Sequence, residues 1–154
     1  MPNLEITFSI EGDVEMLRQL QGVSRDLKSW DKEFKQVGSF LLKTFKQNFD
    51  TEGRTLGVPW QSLKPSTVAQ KQRMGYPSNI LVRTGRLKEN FKANAGSFSV
   101  VISNPTPYFV YHQSKAPRTK IPRRVMMKLD EKRKQEIVKI FQGSIQDTLS
   151  ARGF

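Results

Sequence analysis

The chain has 154 residues, of which 36% are hydrophobic and 26% charged, and this length supports one domain with one core while leaving two independent domains marginal. It contains no cysteine, which excludes disulfides, thiolate chemistry and cysteine-based zinc sites. The formal net charge is +12, so the surface attracts polyanions, either nucleic acid or acidic neighbouring proteins.

Residues 4–10 alternate apolar and polar, with Leu4, Ile6, Phe8 and Ile10 on one side, which predicts a half-buried strand. Asp13 is a suitable N-cap for a helix running to about Lys28. Asp31 opens a second helix to about Phe49, in which Phe34, Val37, Leu41, Phe45 and Phe49 recur at helical spacing. This helix is expected to be the central element. Residues 50–62 hold Gly53, Gly57 and Pro59, which argue against any regular element there. A short helix is expected over Ser66–Arg73, and another from Gly85 to about Ala93 with Thr84 as its cap. Phe98, Val100 and Ile102 alternate in a strand that ends at Asn104, before Pro105 and Pro107. Residues 108–113 are apolar and of undetermined type. Residues 114–124 are basic and contain Pro, which reads as an exposed loop. A last helix runs from about Leu129 or Asp130 to Leu149, with Ile137, Ile140, Phe141, Ile145 and Leu149 on its core face and Lys132, Arg133 and Lys134 on a basic face. The sum is a single α+β domain over residues 1–154, a small antiparallel sheet packed against two long helices with long irregular loops.

The residues for catalysis are sparse. The one histidine, His112, sits in an apolar segment and reads as a structural residue hydrogen-bonded through one nitrogen. Asp50, Glu52 and Lys71 are the nearest approach to a metal-dependent nuclease set, but no motif spacing supports it. There is no phosphate-binding glycine loop. We therefore expect no catalytic residue, no cofactor, no metal and no enzyme activity. The start of the chain lacks a signal-peptide pattern, and no stretch approaches the roughly 18 apolar residues of a membrane span, so no membrane partner is expected. The basic cluster Lys115, Arg118, Lys120, Arg123 and Arg124 is suited to contact phosphates without reading sequence, or to dock on acidic protein.

Four elements carry a resemblance. They are Gly57-x-x-Trp60-x-x-Leu63-x-x-x-Thr67, Ile80-Leu81-x-x-Thr84-Gly85-x-Leu87, Tyr108-x-x-x-His112-Gln113 and Ile121-Pro122-x-Arg124. In this order and at this spacing, across roughly residues 45–128, the chain resembles the virion-morphogenesis or tail-completion proteins of tailed phages, of the Mu type. Two departures fall in the basic loop and its exit: Ser114-Lys115 where the family usually has Gly, and Arg124-Val125-Met126-Met127 where it tends to have an aromatic-bearing segment.

The resemblance implies a structural protein of the virion neck, made in the bacterial host cytoplasm. It would join head to tail as a homo-oligomeric ring with other neck and tail proteins as partners and non-specific contact with packaged DNA. Loops 51–62 and 114–124 would be the contact elements. Trp60, Tyr108 and His112 are candidate anchors, of the core or of the assembly, with core packing favoured for Trp60. The alternative reading is a free, non-specific DNA-binding protein.

Overall fold

The computed structural model describes residues 5–8, 29–114, 120–151 and 153. The helix expected over 13–28 lies outside the described residues, as do Lys115 and Arg118.

The architecture is α+β, as the sequence implies. In chain order the elements are β1 (Glu5–Phe8), α1 (Asp31–Asp50), a 3-10 turn (Arg54–Leu56), α2 (Pro65–Arg73), α3 (Arg86–Glu89), β2 (Lys92–Ala95), β3 (Val100–Ser103), α4 (Phe109–Gln113) and α5 (Glu131–Ala151). The strands form one sheet in the order β1-β3-β2. Asp31 and Glu33 place negative charge in the first turn of α1, where the helix dipole favours it. Its apolar stripe is the one expected: Phe34, Val37, Leu41, Phe45 and Phe49 are all at most 1% exposed. Each such side chain contributes roughly 1.5–3 kcal/mol through burial.

The chain divides into two compact units, and α1 contributes residues 31–40 to one and 41–50 to the other. In the first, which also includes β2 and β3 residues 93–102 and the whole of α5, Trp30 and Phe34 make edge-to-face contacts with Phe141 of α5. The Ser144 hydroxyl donates to the Glu33 carboxylate. At Gly38 the helix comes close to the sheet, and an added Cβ would stand 3.0 Å from Ala93 Cβ and 3.3 Å from Val100 Cγ2. In the second unit, Phe45, Phe49, Trp60, Phe91 and Phe109 form a linked aromatic core with ring centroids 5.1–6.0 Å apart.

Several local expectations are corrected. The helix expected from Gly85 to Ala93 stops at Glu89, and Gly85 (φ 83°), not Thr84, occupies the cap position. Residues 92–95 instead pair with β3, and the Gly96 N–H donates to Ser99 O at 2.8 Å to close the hairpin. Cross-strand pairing overrides local helix preference here. Phe98 lies within that turn, 63% exposed, so the buried strand face begins only at Val100. Residues 50–62 do contain a regular turn, bounded by Gly53 (φ 90°) and Gly57 (φ 68°). Residues 109–113 are helical. On α5, Arg133 is buried rather than part of a basic face, and its guanidinium pairs with Asp130 at 2.9 Å.

Candidate functional site

The second unit brings the sequence motifs together, and the reason is the backbone of residues 124–127. These residues are buried but belong to no helix or sheet, so side chains must satisfy their polar groups. Asn48, wholly buried on the apolar face of α1, donates from Nδ2 to Val125 O at 3.1 Å and accepts Leu56 N–H on Oδ1 at 3.1 Å. The Trp60 indole Nε1 donates to the same Val125 oxygen at 2.9 Å. Gln113 Oε1 accepts from Met126 N (2.7 Å) and Met127 N (3.1 Å), while its Nε2 donates to Met127 O (2.8 Å). Arg124 N donates to His112 O at 2.9 Å, and the Arg124 guanidinium donates to Gln61 O at 2.9 and 3.2 Å. The tryptophan, histidine–glutamine and Ile-Pro elements thus form one hydrogen-bonded scaffold. The Thr-Gly element is held separately, the Leu87 carbonyl accepting from Asn104 Nδ2 at 2.8 Å.

In the same unit a cleft of about 590 Å³ opens between α2, the segment 81–87, Tyr108 and His112. Lys71 crosses its wall and donates from Nζ to Asn79 O (2.6 Å) and Val82 O (2.7 Å), which fixes the connection between α2 and α3. Burial lowers the Lys71 pKa, nearby Glu52 offsets part of this, and Arg83 adds to it. Glu52 is itself tied down, accepting Ile80 N–H at 3.1 Å. The Arg83 guanidinium stacks 4.6 Å over the Tyr76 ring. His112 Nδ1 is buried without a hydrogen-bond partner among the described residues. Burial, and secondarily the charge of Arg124, holds the His112 pKa below its ordinary 6.5.

The residues singled out in the sequence are distributed unequally. Trp60 is a core anchor, 6% exposed and edge-to-face with Phe49. Tyr108 is 39% exposed and lines the cleft with His112. Lys120 and Arg123 are exposed, and Arg123 Nε donates to Gln113 O at 3.2 Å. Arg124 is 6% exposed with its guanidinium committed to Gln61 O, which corrects its placement among outward-facing phosphate contacts. Loop 51–62 is likewise pinned: Trp60 N donates to Glu52 O at 2.8 Å and Val58 N to Gly53 O at 3.0 Å. Asp50 pairs with Lys88 at 2.6 Å, so Asp50, Glu52 and Lys71 each serve a separate structural contact. Among the described residues no three His, Asp or Glu side chains are grouped to hold a metal.

Sequence reading missed Asn48, although a polar residue between Thr44, Phe45 and Phe49 on an apolar stripe is a detectable signal. It also missed Arg83 and Tyr76, whose pairing depends on the turn between α2 and α3.

No curated protein and no solved structure is significantly similar to the chain. A family model does match residues 13–146, an extent that includes every scaffold residue. The chain belongs to the phage virion morphogenesis family, and its role lies in assembly of the phage virion.

Proposed function

We propose that the chain is a structural subunit of the phage neck, one of several copies in a ring that completes the tail and joins it to the head. It acts by binding rather than catalysis. The observation that carries this reading is the use of the motif side chains. Trp60, Gln113 and Arg124 are buried and direct their polar groups onto backbone atoms, so the motifs hold the fold's framework instead of presenting reactive groups. The test is electron microscopy of lysates from the parent phage or prophage with this gene disrupted. Separate heads and tails, restored to whole particles by supplying the protein, support the joining role. Joined particles in the disrupted lysate overturn it.

A second reading, non-specific contact with DNA, is favoured by the net charge of +12 and by the exposure of Lys120 and Arg123. Neutralising Lys115, Arg118, Lys120 and Arg123 together should reduce the slope of log affinity against log salt by up to about 0.9 for each lost phosphate contact. An unchanged slope removes this loop from any DNA-binding surface.

A further inference from the structure

The cleft in the second unit has two properties that the scaffold does not use. Its lining carries cations and no acidic side chain, and its walls are partly apolar. Arg83 and Arg86 are exposed, and neither pairs with a carboxylate among the described residues. Lys71 and Arg124 add fixed positive charge from the wall, held there by carbonyl oxygens and offset in part by Glu52, which lies outside the lining. Met74 (49% exposed) and Tyr108 (39% exposed) present apolar surface beside these charges.

We propose that this cleft is a docking site for an acidic, partly apolar peptide segment of a partner protein.

Charge complementarity selects the sign of the occupant. Partly desolvated cations in a concave site focus the field on an incoming carboxylate more strongly than scattered surface lysines do. The apolar wall selects its class. Arg and Tyr are the side chains that anchor protein contacts, and Met adapts its shape to an apolar partner group. A nucleic-acid strand fits less well, because one face of Tyr76 is already covered by Arg83 and is closed to base stacking. This docking does not rest on the neck assignment, since it concerns the isolated chain and a peptide.

The experiment is a selection of yeast-displayed random dodecapeptides against the full chain, followed by anisotropy titration of the enriched peptides. Enriched peptides should carry Asp or Glu next to apolar residues. Arg83→Glu/Arg86→Glu should weaken their binding by about tenfold or more. The charge-matched Lys35→Glu/Lys132→Glu variant, altered at exposed sites on α1 and α5, should bind as the parent does. Circular dichroism checks that the variants fold, and Arg83→Gln/Arg86→Gln gives the same reading if the charge reversal unfolds the chain. Absence of enrichment overturns the proposal, as does equal loss in both charge variants. Tighter binding of an oligothymidylate of matched length, displacing the peptides, overturns it in favour of nucleic acid.

Discussion

The indole Nε1–H of Trp60 and the carbonyl oxygen of Val125 are hydrogen-bonded at 2.9 Å across 65 residues of chain. The same oxygen accepts from Asn48 Nδ2, so one backbone atom ties the loop after α1 and α1 itself to the segment 124–127. A carbonyl with two donors tolerates the loss of one and not of both. Trp60→Phe should therefore cost only about 1 kcal/mol for the hydrogen bond. Asn48→Ala should cost about 2–3 kcal/mol, because it also leaves the buried Leu56 N–H unpaired. The double variant should lose more than the sum, since Val125 O then has neither partner. Urea unfolding of the four proteins measures the coupling. Simple additivity would show that the shared acceptor is unimportant.

Gln113 performs a similar task with all of its amide. Gln113→Leu keeps the approximate volume and removes the acceptor for two N–H groups and the donor for one carbonyl. Each stranded group costs about 1–3 kcal/mol, so a loss of about 3 kcal/mol or more is expected. Hydrogen exchange locates the effect: Met126 and Met127 amides should lose protection before the amides of α1 do. Uniform loss across the chain would contradict a local role.

The helices of this fold were legible because their apolar residues recur at fixed spacing. Phe34 to Phe49 marks α1, and Pro65 marks the start of α2. The short elements were not. Residues 92–95, Lys-Ala-Asn-Ala, have no strand propensity and become β2 only because β3 is available to pair with them. The charge of Arg124 was visible, but its burial depends on the carbonyl of Gln61, 63 residues away. Trp60, Gln113 and Ile121–Arg124 could be recognised as motif elements, yet their convergence on residues 124–127 is a tertiary fact that no local pattern encodes.

The turn before Trp60 makes a sharp steric prediction. Gly53 has φ 90°, and an added Cβ would lie 2.1 Å from Val58 O and 2.5 Å from Trp60 Cδ1. Gly57, four residues on, has φ 68° with nothing near its added Cβ. Gly57→Ala meets only backbone strain, about 1 kcal/mol. Gly53→Ala adds a backbone clash that displaces Trp60, so it should be at least about 2 kcal/mol worse than Gly57→Ala. Thermal unfolding of the pair checks the order, and equal costs would mean that the turn relaxes freely.

His112 predicts a pH dependence whose sign is fixed by its environment. Burial and Arg124 hold its folded-state pKa below the ordinary 6.5. The unfolded chain therefore binds the proton more readily than the folded one. Stability from this group is complete above the unfolded value and declines as pH falls from there through the folded value. The parent protein should lose stability as pH falls from about 7 through the ordinary histidine range. His112→Phe cannot take up that proton, so its stability should change less over the same interval. Urea midpoints at closely spaced pH values measure this directly. Parallel curves would show that the ring is protonated equally in both states, which the buried, unpartnered Nδ1 argues against.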